Sequence, residues 1–365
     1  VTSGAKRAEL TELQERVKDP NLGYKASVEL TDQIDRLKQE VDDLEWGADT
    51  RITVPLEIEN QGDKAVVTID GVSRTLAVGE WSDYYRPVFR INPLIQVHAI
   101  TRVRLVKLGE PHTELIVKRL DIDPEHPPFW QEISTPSEFA GEVAHSGLFD
   151  TYGWSTFTMP FKDREIEPEI LMEDVEFTLR WRERVTYDAL AGDDWKLLMS
   201  VFSTTDRVQH MMYQYYDEGH PLHDAEVANR EMQFFGETLR MKDAVPAIYR
   251  QMDRVVGEIM SRLGSSDVLL VCSDHGFRSF RTQFHINNWL AKNGYLTVKP
   301  GKTDSDGRSL GSYVDWPNTR AYALGLGFIY VNLKGRERNG SVEPSERAEL
   351  MSQLRADLLA EVDEA

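Results

Sequence analysis

The sequence predicts an α/β fold, a mostly parallel sheet flanked by helices that carries a small antiparallel β insertion. Three observations predict it. Trp195–Phe202 (WKLLMSVF) and Val268–Cys272 (VLLVC) are short apolar runs, the kind that form strands buried on both faces. Between them Val245, Ile248, Met252, Val255, Ile259 and Leu263 recur at helical spacing, and strand, helix, strand is the order of a parallel βαβ unit. Residues 51–120 instead alternate apolar and polar side chains between turn signals, which is antiparallel patterning.

Taken in order, the chain divides into a helical hairpin segment (1–50), a β module (51–120) and an α/β core (121–365). In the first, Leu30, Ile34, Leu37, Val41 and Leu44 step by four and three along a strongly polar helix, with Pro20-Asn21 breaking it from an earlier one and Gly47 ending it. In the second, Ile52 to Ile58 and Ala65 to Ile69 read as strands joined at Gln61-Gly62-Asp63, and Asp70-Gly71 turns the chain again. Further strands are expected at Val88–Ile91, Thr101–Leu108 and Thr113–Val117. In the third, a helix start lies at Ser134–Glu138 and an amphipathic helix runs over Glu167–Asp188. Phe284–Leu290 opens a helix that Gly294 breaks, Thr319–Leu333 holds two short strands around glycines, and Pro344–Asp363 is a final helix.

With 365 residues and a composition that is 41% hydrophobic and 28% charged, the chain can bury a large core. Forty-two basic against sixty-one acidic side chains give a net charge of −19, which disfavours a nucleic acid polymer and an anionic membrane surface as partners. No apolar run approaches transmembrane length. The single cysteine, Cys272, excludes an internal disulfide and, inside an apolar run, reads as a buried inert thiol. A chain that starts at Val1 and stops inside a helical pattern reads as a fragment.

The chemistry concentrates where the two apolar runs end. Ser273-Asp274-His275-Gly276 places an acid and an imidazole side by side next to a glycine that permits a sharp turn. After the first run, Asp206 and His210 are i and i+4, so one helical turn puts both on the same face. Each pair alone also reads as a polar turn or an N-cap with a surface histidine. Together, four mixed carboxylate and imidazole ligands suit two zinc or manganese ions better than one.

TDRVQHMMYQYYDEGHP, VLLVCSDHGF and FHINNWLAKNGYL resemble the alkaline phosphatase superfamily, in its branch of type I phosphodiesterase-like phosphohydrolases and phosphomutases. Gly79-Glu80-Trp81-Ser82, the Pro- and aromatic-rich stretch 121–154 and GRERNG (335–340) resemble the same branch. The resemblance implies an alkaline phosphatase-like core interrupted by a β module that serves as lid or spacer. It implies that Asp206 and His210 hold one divalent ion and Asp274 and His275 the other, with zinc or manganese bound. The reaction it implies is hydrolysis of a small phosphate ester by a Ser or Thr nucleophile that lies outside the fragment, which would leave the fragment alone inactive. His285, Arg278 and Arg281 are candidates for substrate contact. Ser155-Thr156 reads as a core or turn pair rather than the nucleophile, and His126 and His145 as structural or surface residues. A phosphomutase, a phospho-head-group transferase and a non-catalytic metal-binding protein remain alternatives at this stage.

Overall fold

The computed structural model describes residues 3–16, 30, 33–34, 36–38, 40–41, 52–109, 112–152, 157–192, 195–302, 310–325 and 327–362. The chain forms two compact units, Val1–Ser279 and Phe280–Ala365. No helix among the described residues is long and apolar enough to cross a membrane.

The first unit opens with helix α1 (Ser3–Arg16). Leu30, Ile34, Leu37 and Val41 are helical and buried, as their spacing predicts; Leu44, Pro20, Asn21 and Gly47 lie outside the described residues. The β module follows. Strands β1 (Leu56–Gln61), β2 (Lys64–Ile69) and β3 (Val72–Ala77) form an antiparallel meander. Its second turn carries Asp70 at φ 48° and Gly71 at φ 77°, the two left-handed positions that a tight hairpin between right-twisted strands requires. Strands β4 (Val88–Asn92), β5 (Ile95–Ile100), β6 (Val103–Lys107), β7 (Glu114–Val117) and β8 (Asp121–Ile122) complete the module, pairing as β4-β5-β8 and β6-β7. Alternate residues of the module (Ala65, Val67, Ile69, Leu76, Val103, Leu105) point inward with Tyr85 to make its own core.

Helices α2 (Phe139–Ala144), α3 (Thr158–Lys162), α4 (Pro168–Ala191), α5 (Thr204–Tyr216) and α6 (Ala225–Ala228), the hairpin β9 (Glu231–Phe234) with β10 (Glu237–Arg240), and α7 (Ala244–Arg262) build the rest of the unit. Pro168, at the start of α4, needs no hydrogen-bond acceptor there. Leu171, Val175 and Leu179 of α4, Val208 and Met212 of α5, and Val245 and Ile248 of α7 share one core.

The β module is fastened to α4 by charge. Arg104 grips Glu173 through two 2.8 Å bonds, Trp81 Nε1 donates to the same carboxylate at 2.8 Å, and the Arg102 guanidinium lies 3.9 Å from the centroid of the Phe177 ring. Deeper, Lys118 Nζ donates at 2.8 Å to Asp174 and at 3.0–3.1 Å to both oxygens of Asp150. The second oxygen of Asp174 accepts from Arg207 Nη1 of α5 at 2.8 Å. These side-chain contacts anchor the module to α4 and α5.

In the second unit, α8 (Ile286–Lys292), α9 (Leu310–Tyr313), the hairpin β11 (Ala321–Leu324) with β12 (Phe328–Val331), and α10 (Arg347–Ala360) enclose a separate core around Leu290, Leu296, Val314, Ala321 and Leu350. Asn287 of α8 brackets β11 by accepting from Ala323 N at 2.8 Å and donating to its carbonyl at 3.1 Å.

The mostly parallel sheet that the sequence predicts is not formed. Among the described residues every strand ladder is antiparallel and no sheet exceeds three strands. Residues 195–202 and 268–272 adopt no regular structure, and Val268 and Leu270 are 82% and 85% exposed. Cys272, expected to be buried, is exposed with them. An apolar run records a preference for burial, but a strand exists only where a neighbour takes its backbone N–H and C=O groups, and neither run has one here. The helix between them does form where its periodicity placed it.

Two measurements check this fold. Burial alone would raise the Asp174 carboxyl, but Lys118 and Arg207 outweigh it and hold the group below the ordinary carboxylate range. Its stabilising effect is therefore complete above about pH 4 and fades as pH falls through the depressed native value. Asp174→Asn leaves Arg207 buried against a neutral group, and urea unfolding at pH 7 should show a loss of about 3–5 kcal/mol that narrows in stronger acid. Hydrogen exchange should find the amides of 268–271 unprotected and those of α7 protected; protection at 268–271 would mean that the run is strand-paired.

Candidate active site

Helix α5 presents two faces. Arg207, Val208, Met212 and Tyr215 are buried, while Asp206, His210 and Tyr213 fall on the opposite stripe. Asp206 sits in the first turn, where a carboxylate is favoured by the helix dipole. Arg207 fixes the rotation of that turn, because its guanidinium is held between Asp174 and Thr178 of α4. The i, i+4 spacing then brings His210 Nε2 to 3.3 Å from Asp206 Oδ1.

The segment after α7 reaches the same oxygen. His275 Nε2 lies 3.5 Å from Asp206 Oδ1 and 3.7 Å from Asp274 Oδ2. Ser273 Oγ donates to the His275 carbonyl, and Ser279 Oγ donates to the Asp217 carboxylate at the end of α5, which pins both ends of the turn. Phe277 is wedged between the two imidazoles, edge to face, with ring centroids 4.8 Å from His210 and 5.2 Å from His275. Two segments some seventy residues apart in sequence thus meet at one carboxylate.

The protonation pattern gives the arrangement its chemical sense. His275 Nδ1 lies 3.1 Å from the Gly276 carbonyl, which can only accept, so Nδ1 carries a proton and Nε2 is the ring atom turned toward Asp206. Two acceptors facing each other at 3.5 Å are stable only with a proton or a metal cation between them. Ligand atoms around a tetrahedral zinc stand about 3.3–3.5 Å apart, given bonds of about 2.0–2.1 Å, so the two pairs on Asp206 have the spacing of a coordination edge, while His275 and Asp274 stand wider at 3.7 Å. His210 and His275 each meet Asp206 but do not close into one three-ligand cluster.

Among the described residues, the group whose ligand atoms all lie within 4.8 Å of one another is His98, Asp123 and His126. Its carboxylate is already paired with a cation. Arg86 takes both Asp123 oxygens at 2.8 Å, and the two imidazoles stack at 4.8 Å with planes 20° apart, so their in-plane nitrogens point side by side. The Arg86–Asp123 ion pair braces the β module at this point.

Of the other sequence-derived candidates, Arg278 is exposed and makes no ion pair among the described residues. Arg281 and His285 belong to the second unit, where both are exposed and His285 precedes α8 without capping it through its side chain. Ser155 and Thr156 lie outside the described residues. The sequence reading missed the cleft beside the carboxylate. Tyr213 and Tyr216 of α5, Tyr249, Arg250 and Asp253 of α7, and Phe277 line a space of about 750 Å³. Its signal was present as aromatic residues on the exposed stripe of α5, at positions 213 and 216, where a solvated helix face carries charge.

A family model for type I phosphodiesterase / nucleotide pyrophosphatase matches residues 107–364. The chain belongs to this family, a branch of the alkaline phosphatase superfamily. No curated protein and no solved structure matches it. Membership in the type I phosphodiesterase family indicates hydrolysis of phosphoesters of the phosphodiester or pyrophosphate kind. The matched span begins at Lys107, so it takes in both Asp-His pairs and the cleft but leaves β1 to β5 outside.

If Phe277 keeps the two imidazoles apart and oriented, Phe277→Ala should leave the unfolding midpoint within about 3 °C, since the ring is only partly buried. The His210 and His275 ring proton signals should nevertheless collapse toward solvent-exposed shifts in NMR spectra, and unchanged signals would remove Phe277 from this role.

Proposed function

We infer that this protein is a metal-dependent phosphoester hydrolase of the type I phosphodiesterase kind, with Asp206, His210, Asp274 and His275 as its metal ligands. The observation that supports the reading most is the convergence of His275 Nε2 and His210 Nε2 on one oxygen of Asp206, at spacings that suit ligands of a bound cation. In this proposal Asp206 and His210 hold one divalent ion, and Asp274 and His275 hold another. Zinc fits the imidazole and carboxylate donors best, and manganese fits them next. Such ions supply charge neutralisation at a transferring phosphoryl group and lower the pKa of a bound hydroxyl.

The residues around the ligands have separate tasks. The Gly276 carbonyl keeps the His275 proton on Nδ1 and so keeps Nε2 available. Arg207 and Asp174 hold the first turn of α5, which fixes where the Asp206 carboxylate stands. The cleft lined by Tyr213, Tyr216, Tyr249 and Phe277 offers flat apolar walls to the organic part of an ester, beside the point where phosphorus would be held. Arg278, three residues after His275 and without an ion pair among the described residues, is suited to a phosphate oxygen. We assign the nucleophile to no residue of this chain.

The test is turnover of chromogenic phosphate mono- and diesters by the full-length protein with zinc or manganese added, with metal content measured alongside. Asp206→Asn and Asp274→Asn should each lower turnover by more than about 100-fold and remove bound metal. Full turnover and unchanged metal content in either variant would overturn the assignment.

A further inference from the structure

The second unit carries a groove unrelated to the Asp206 carboxylate. It runs between β12 and α10 with a volume of about 520 Å³. Val331 and Leu354 are buried in its floor, Ile329 and Leu358 are partly so, and Met351 and Leu359 form an apolar rim left in solvent, Leu359 at 76% exposure. A terminal helix that only closed a core would present polar side chains at such positions.

Three arginines border the same groove, in a chain whose net charge is −19. Arg336 is tethered, donating to the Val331 carbonyl at 2.6 Å and pairing with Glu337. Arg347 and Arg355 make no ion pair or hydrogen bond through their side chains among the described residues. Arg347 is the first residue of α10, where the helix dipole is positive and a cation is disfavoured. Placing unpaired guanidinium groups beside exposed leucine and methionine, one of them at the wrong end of a helix, costs stability that an anionic occupant would restore.

Size decides which occupant. A stable protein partner needs about 800 Å² of each surface, whereas about 300–1,000 Å³ is the range of small-molecule sites. From Arg347 to Leu359 the helix rises about 18 Å, the length of one extended alkyl chain rather than of a folded ligand. We propose that this groove binds a soluble single-chain anionic amphiphile, its alkyl chain along Leu354, Leu358 and Leu359 and its carboxylate or phosphate head met by Arg347 and Arg355.

Calorimetric titration of the full chain with monomeric dodecanoate tests this, with EDTA present so that the Asp206 cluster holds no metal. One saturable site per chain is expected. Binding should weaken at least about tenfold in the Arg347→Gln/Arg355→Gln double variant and at least about tenfold for dodecanol against the native chain. Leu359→Asn should weaken it as well, and inorganic phosphate alone should not saturate. These side chains are exposed, so the variants should not lower the unfolding midpoint, which is measured in parallel. The proposal is overturned by absence of saturable binding, by unchanged affinity in the double variant, or by dodecanol binding as tightly as dodecanoate. Binding to phosphatidylglycerol vesicles without any to monomeric dodecanoate would also overturn it, since the site would then be a surface-docking one.

Discussion

The buried charge chain of Lys118, Asp150, Asp174 and Arg207 is the constraint on which the first unit depends. Two cations and two anions lie together with little exposure to water, Lys118 beneath the Phe157 ring, and each group is uncharged or absent only at the expense of its neighbour. Coulomb attraction there is strong because water is excluded, and directional because every contact is also a hydrogen bond. Hydrophobic burial could join the β module to α4 in several registers. The Asp174 carboxylate, with one oxygen for Lys118 and the other for Arg207, admits one. The same carboxylate that docks the β module therefore also orients the helix that carries Asp206.

What the sequence made legible follows from how local each signal is. Asp206 and His210 are one helical turn apart, and Asp274 and His275 are neighbours, so each pair could be read from spacing alone. The helices at 168–191, 244–262 and 286–292 and the strand β2 lie close to their expected places because 3.6- and 2-residue periods are written in single stretches, whereas β1 is shifted to Leu56–Gln61 and is exposed throughout. The parallel sheet was expected from two apolar runs, but pairing is a property of two segments, and hydropathy in one of them says nothing of the other. The expected burial of Cys272 failed with it. The charge network is also non-local, joining positions 118, 150, 174 and 207. Its one trace in the sequence is Asp174 within LMEDVEF, an acid on the apolar face of a helix.

The site illustrates a division of labour between rigid and exposed elements. Asp206 is held by a helix whose opposite face is core, while Asp274 and His275 arrive on a turn braced by Ser279, Asp217 and Phe277. The aromatic cleft draws its walls from both kinds of element, from helices α5 and α7 and from Phe277 of the turn.

The exposed runs at 195–202 and 268–272 have a consequence for how the protein behaves in solution. Each is rich in residues of high β-propensity and nearly free of charge, and each offers unpaired backbone groups to any other chain. What opposes such pairing is long-range repulsion between molecules that each carry −19. That repulsion reaches about 30 Å at 0.01 M ionic strength but only about 3 Å at 1 M. Colloidal stability of this chain is thus a function of ionic strength, with concentrated salt removing the barrier that keeps its sticky edges apart.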